Sequence, residues 1–258
     1  MTVQLSESTE MYLKAMAELG VGDVVPVGRL AGRLGVTNVS ANEMVHRLTE
    51  QGLLSHMPYK GVTLTETGRT AACSVLRRQR LWECFLYDHL HIEWAKLYEL
   101  ACSLEHATAP EVTEALAVFL GDPKFCPRGN PIPAADGSFA PLHGVPLRYV
   151  PMGSIVQVLA VNATETDVLK YLQERDILPG REVTVVEAAP MEGPLTLRLG
   201  WKRRCDETTR RGIEHTRRLA RFGIGDGRPE QRFRAPPGRL HFLVFFRYWE
   251  SAISPMKR

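Results

Sequence analysis

The chain has 258 residues, a formal net charge of +3 and 44% hydrophobic residues, which suits a globular protein of two or three small domains. No apolar run approaches the roughly 18 residues of a membrane span, and the N-terminal stretch lacks the basic start and apolar core of a secretory signal. Five scattered cysteines do not make a disulfide framework, so the expectation is a cytoplasmic protein with reduced thiols and no membrane partner.

The charge is unevenly spread. Residues 1–200 carry 17 Lys+Arg against 23 Asp+Glu, whereas residues 201–258 carry 15 against 6. Overall basicity therefore describes the tail and says little about the rest.

In chain order, residues 5–19 read as an amphipathic helix with Met11, Tyr12, Leu13, Met16 and Leu19 as its apolar set. Val27–Leu34 is a short helix with Leu30, Ala31 and Leu34 inward, and Gly35 follows as a turn glycine. Thr37 is placed to cap a second helix running to about Gln51, with Val39, Met44, Val45 and Leu48 on its buried side and Gly52 at the left-handed position after it. Two short helices around a glycine turn form a helix-turn-helix candidate. The alternating segments around Tyr59-Lys60-Gly61 add a β-hairpin, which makes the pattern a winged helix.

Residues 74–107 read as helical, with Val75, Leu81, Phe85 and Leu86 along one stripe and a second helix over about 93–107. A further helix covers 110–121 through Val112, Leu116, Val118 and Phe119. The Pro- and Gly-rich residues 127–147 read as a linker. After it, "SIVQVLAV", the short helix "TDVLKYLQERD", "EVTVVEAA" and "PLTLRLG" predict a small β-barrel with one helix over 148–200. The fold class is thus mainly α with small β parts: a winged helix over 1–73, a helical domain over 74–126, a linker and a barrel. The Arg-rich tail over 201–258, with its isolated apolar run "LHFLVFFRYW", shows no periodicity tying it to the barrel and reads either as an irregular extension or as a basic nucleic-acid arm.

The stretch "LYELACSLEH" carries the chemistry. Cys102, Glu105 and His106 at i, i+3 and i+4 share one helical face. Thiolate, carboxylate and imidazole suit a first-row divalent cation. The same residues also read as a solvated helix end, a redox-sensing thiol, or a Cys–His nucleophile pair. The last needs an oxyanion donor loop, which nothing nearby supplies. Neither a His-Glu-x-x-His zinc pattern nor a glycine-rich phosphate loop occurs. An enzyme acting on a small organic substrate is therefore not the expectation.

Over residues 1 to about 200 the chain resembles the diphtheria toxin repressor family of iron- or manganese-responsive transcriptional regulators. The resemblance rests on "STEMYLKAMAEL", the winged helix, "LACSLEH", "CPRGNPIP" and the small barrel, which matches that family's SH3-like C-terminal domain. It implies an activating site of Met11, Cys102, Glu105 and His106 loaded with Fe²⁺ or Mn²⁺. It also implies an ancillary metal site at the positions of Gln79, Glu83, Tyr98 and Glu165, where Gln79 and Tyr98 stand in place of histidines and Val168 in place of an amide. Some relatives bind an anion at the positions of Arg80 and Asn130. The resemblance further implies a homodimer built on residues 74–121 that binds a palindromic double-stranded operator. Asn42 would read a base edge, Thr37 and Ser40 would touch phosphate, and Arg47 and Lys60 would add phosphate charge. Two sulfur donors tilt the site toward iron, whereas "VTNVSANEMVHRL" is similar to the manganese-type members.

Overall fold

The computed structural model describes residues 5–20, 24–57, 59–140, 142, 144–188, 195–199, 232–234 and 244–248. The described residues divide into two compact units, one within 1–142 and 162–171, the other within 143–161 and 172–248.

The first unit opens with α1 (Glu7–Leu19), whose free amides start at Ser6. That side chain accepts a hydrogen bond from the Thr9 amide at 3.3 Å, a cap worth about 0.5–2 kcal/mol. α1 buries Tyr12, Leu13 and Met16. Glycines 35 and 52 follow α2 (Val27–Leu34) and α3 (Asn38–Glu50) at φ +67° and +70°, the left-handed geometry expected after a helix end. Thr37 caps α3 by accepting from the Ser40 amide at 3.2 Å. The hairpin β1 (Leu54–Met57) and β2 (Gly61–Leu64) pairs Leu54 with Leu64 and Met57 with Gly61. It turns through Tyr59, which takes φ +62° and is fully exposed.

α3 departs from its predicted pattern at one residue. Val39, read as part of the buried side, is 70% exposed, and the inward positions are Ala41, Val45 and Leu48. The i, i+4, i+7 row 41, 45, 48 faces the core, which rotates Val39 out to solvent.

The long helix α4 (Glu66–Asp88, 23 residues) begins eight residues before the predicted start, because Thr65 caps it by accepting from the Gly68 amide at 3.0 Å. The expected continuity to residue 107 is broken. The chain turns at His91, φ +54°, passes a 3₁₀ turn at Trp94–Lys96, and re-enters helix as α5 (Leu97–Glu105). α6 (Pro110–Phe119) starts with proline, whose missing amide costs nothing at that position. Of its predicted apolar set Leu116 packs on the core, beside the buried Thr113 and Ala117, while Val112, Val118 and Phe119 are 49%, 73% and 62% exposed.

The predicted linker is also corrected in part. Arg128, Asn130 and Ile132 are buried, as is Cys126 just before them. Trp94 Nε1 donates to the Pro127 carbonyl at 3.0 Å, and Arg80 donates to that of Pro131. Prolines and glycines here shape a packed loop whose carbonyls are satisfied by side chains of the helices.

The second unit is a six-stranded antiparallel sheet in the order β3-β8-β4-β5-β6-β7, formed by Val145–Pro146, Val244–Tyr248, Ile155–Val161, Glu182–Ala188, Leu195–Leu199 and Arg232–Arg234. Helix α7 is Thr166–Glu174. Within the apolar run of the tail, read as part of an irregular extension, Val244–Tyr248 forms a strand. Val244 lies opposite Val161 and Tyr248 opposite Val156, with a register shift between Val158 and Ala160. Backbone pairing asks for residues of high β-propensity, which "VFFRY" supplies, and not for alternation along the run.

Candidate metal centre and nucleic-acid interface

Helical spacing brings Cys102, Glu105 and His106 to one side of the end of α5, with their ligand atoms all within 4.8 Å of one another. α1 faces them. Met11 Sδ is 3.8 Å from Cys102 Sγ, so two sulfurs, a carboxylate and an imidazole converge from two helices.

Two further α1 residues, missed in the sequence reading, complete the cluster. Glu10 Oε2 lies 2.6 Å from His106 Nδ1 and holds the ring, while its other oxygen pairs with Arg78. His106 Nε2 is 3.3 Å from Glu105 Oε1 without making a hydrogen bond, and Glu105 Oε2 is buried with no hydrogen-bond partner among the described residues. Each orphan costs roughly 1–3 kcal/mol, and a divalent cation is the kind of partner that would satisfy both. The donor set therefore fits a metal.

The second missed residue is Lys14, 1% exposed. Its ammonium donates to Cys102 Sγ at 3.3 Å and pairs with Glu105 Oε1. Burial opposes that charge, but Tyr98, Glu105, Glu18 and Cys102 outweigh it and hold the lysine protonated. Burial carries the Glu105 carboxyl up to about 7, partly offset by Lys14. Burial also raises the Cys102 thiol, against the pull of Lys14. A charge in the middle of "MYLKAM" was the available signal, since a lysine inside an apolar stripe must find anions or leave the core.

The second predicted set is arranged differently. Gln79 and Glu83, one turn apart on α4, are wholly buried. Glu83 Oε1 accepts from Arg128 Nε at 3.1 Å and from Nη2 at 2.7 Å. The Arg128 guanidinium stands 4.8 Å from the centre of the Tyr98 ring. Glu165 is exposed, and its carboxylate accepts from the Thr164 amide at 3.2 Å. A guanidinium on the buried carboxylate does not fit a metal there. Arg80 and Asn130 are both buried, and Arg80 is directed to the Pro131 carbonyl.

The residues picked out for DNA are all at the surface of the winged helix. Thr37, Ser40, Asn42, Arg47 and Lys60 are exposed, and Val39 stands among them. Asn42 Nδ2 donates to the Asn38 carbonyl at 2.9 Å.

Comparison with known proteins accords with this geometry. Residues 4–62 match the family described as iron dependent repressor, N-terminal DNA binding domain, and residues 65–134 match its metal binding and dimerisation domain. Residues 145–206 match the FeoA domain. The chain is 32% identical over 203 residues to the iron-dependent repressor IdeR of Mycobacterium tuberculosis, covering 74% of this chain and 88% of that one. It is 33% identical over 206 residues to the diphtheria toxin repressor of Corynebacterium diphtheriae, covering 75% and 89%. Among solved structures, a manganese-dependent transcriptional repressor in complex with manganese superposes with a TM-score of 0.72 at 25% identity, over 93% of this chain and 100% of the other. The manganese regulator SloR shares the fold, with a TM-score of 0.70 at 23% identity over 93% and 98%. The chain belongs to the iron-dependent repressor family of metal-dependent, DNA-binding transcriptional regulators, and these are not enzymes.

Proposed function

We propose that this protein represses transcription by binding a palindromic operator as a homodimer when Fe²⁺ or Mn²⁺ is held by Met11, Cys102, Glu105 and His106. The observation that carries the reading is the convergence of these donors from α1 and α5 around two orphaned buried atoms, Glu105 Oε2 and His106 Nε2. When bound, the ion supplies coordination bonds that cross-link the two helices, and two sulfurs favour Fe²⁺ and its softer neighbours. Glu10 fixes the His106 ring through Nδ1 and leaves Nε2 for ligation. α1 carries Met11 and packs through Leu13 and Met16 into the core that also holds Leu30, Val45 and Leu48 of α2 and α3. Fixing α1 thus fixes the frame on which α3 is presented, and metal and DNA binding become reciprocally coupled.

On the DNA side, Asn42 reads a base edge from the N-terminal half of α3, and Thr37 and Ser40 touch phosphate. Val39, exposed beside them, suits the methyl group of thymine. Arg47 and Lys60 add the salt-dependent phosphate charge. The exposed apolar residues Leu90, Val112, Val118 and Phe119 lie within or close to the segment that matches the dimerisation domain, and covering them in a homodimer removes that surface from water. No helix among the described residues is long and apolar enough to cross a membrane. We place the protein with its DNA in the cytoplasm.

The raised Cys102 thiol argues against a redox sensor or a thiol hydrolase, both of which need an accessible thiolate. The test uses a duplex selected by the Mn²⁺-loaded protein from a random pool. Anisotropy titrations with chelator, anaerobic Fe²⁺ and Mn²⁺ should show tight binding only with metal. Equal affinity in chelator would defeat the reading, and a peroxide response without metal would favour the thiol alternative.

A pH dependence follows from the same site. Ligation requires the Glu105 carboxylate, which takes up a proton as pH falls through about 7. Mn²⁺ affinity measured by calorimetry should therefore drop by roughly tenfold between pH 8 and pH 6 from this proton alone. A flat profile would show that Glu105 does not ligate the ion.

A further inference from the structure

We propose that Arg128 is a resident cation that replaces a second metal ion, giving this regulator one metal per subunit and a permanent clamp between α4, the 126–132 loop and the segment after β4. The proposal deepens the metal-activated reading and rests on it for the count of ions.

The guanidinium is 2% exposed and uses three of its nitrogens within the first unit. Nε and Nη2 both reach Glu83 Oε1, at 3.1 and 2.7 Å, and Nη1 donates to the Ala163 carbonyl at 2.9 Å. The plane stands over the Tyr98 ring at 4.8 Å, where the π face attracts a cation. One charge borne by the 126–132 loop thereby joins α4, α5 and residue 163. An ion coordinated by Glu83 would make the same kind of bridge, but it would dissociate under chelation. A covalently held guanidinium does not.

The rest of the pocket agrees. Gln79 offers a neutral amide and Tyr98 a phenol, whose ionisation burial pushes further up. With Arg128 already neutralising Glu83, a divalent cation would meet net repulsion and one weak oxygen donor. The Glu83 carboxylate also keeps the guanidinium charged against its burial. Gln79's amide and Glu83 Oε2 have no hydrogen-bond partner among the described residues. Gln79 is neutral and the Glu83 charge is met through Oε1, so these atoms suit a trapped water more than an ion.

The first test is an ion count. The apoprotein titrated with Mn²⁺ and weighed by native mass spectrometry should carry one ion per chain, and the Cys102→Ser chain none. A second ion in the unaltered chain, or one surviving Cys102→Ser, overturns the proposal. The clamp is read separately in EDTA, so this arm does not depend on the metal-activated reading. Arg128→Met should lower Tm by roughly 10 °C, because it strands a buried carboxylate. Adding Glu83→Gln to the same chain should recover at least half of that loss. An Arg128→Met chain as stable as its parent, or a double variant no better than the single, overturns the proposal. If Arg128→Met yields no folded chain, Glu83→Gln alone reads the pair, and an unchanged Tm would refute it. A protein that takes up no Mn²⁺ at all would defeat the metal-activated reading, while the EDTA measurements still decide the role of Arg128.

Discussion

Cys102→Ser is expected to abolish Mn²⁺-dependent operator binding while leaving the metal-free fold intact. The thiol sits between the other donors. Its sulfur lies 3.8 Å from Met11 Sδ and 3.3 Å from Lys14 Nζ, both on α1, and 3.8 Å from Glu105 Oε1 on α5. Disturbing an outer-shell partner of a metal ligand typically costs 10- to 100-fold in affinity, so replacing a ligand should cost at least about 100-fold. The fold loses little, because Cys102 is only half-buried and a hydroxyl occupies nearly the same volume. Calorimetry with Mn²⁺ and thermal unfolding in EDTA check the two halves. Unchanged metal activation, or a Tm loss comparable to the loss of activation, would contradict the assignment of Cys102 as a ligand.

Gly68→Ala is expected to destabilise the first unit by on the order of 3 kcal/mol or more, at the severe end of overpacking. A Cβ on Gly68 would lie 2.0 Å from the Leu53 carbonyl oxygen and 2.9 Å from its carbon, both backbone atoms that cannot swing aside. Thr65 sits at the same junction, with its hydroxyl donating to the Gly52 carbonyl at 2.7 Å while its oxygen caps α4. The first turn of α4 is therefore pressed onto the start of the hairpin. Gly32 is the control. It is exposed in α2 with nothing within 4 Å of an added Cβ, so Gly32→Ala should stabilise by roughly 0.5–1 kcal/mol. Urea unfolding of the two variants should move in opposite directions. A Gly68→Ala midpoint equal to that of the parent would show that the junction relaxes.

The two positions contrast in legibility. Gly68 looks like an ordinary helix glycine in the sequence, and its constraint comes from Leu53, fifteen residues away and in contact only after folding. Arg128 looks like a linker residue in "CPRGNPIP", and its role depends on Glu83 and Ala163. Val39 fits an apolar periodicity on paper, yet the row through Ala41, Val45 and Leu48 turns it toward solvent.

What the sequence determined alone are features whose cause lies within one or two helical turns. Thr37 as a cap, Gly35 and Gly52 as left-handed ends, the hairpin around Lys60, and the shared face of Cys102, Glu105 and His106 all follow from local spacing. The tertiary structure decided the matters that depend on distant partners. It set Glu10 and Lys14 against the trio, gave Glu83 a guanidinium in place of a free carboxylate's freedom to ligate, and made Val244–Tyr248 of the tail a strand beside β4. The physical reason is range. Helical periodicity and capping act over three or four residues, whereas a buried charge selects its counter-charge from whatever the fold brings within a few ångströms.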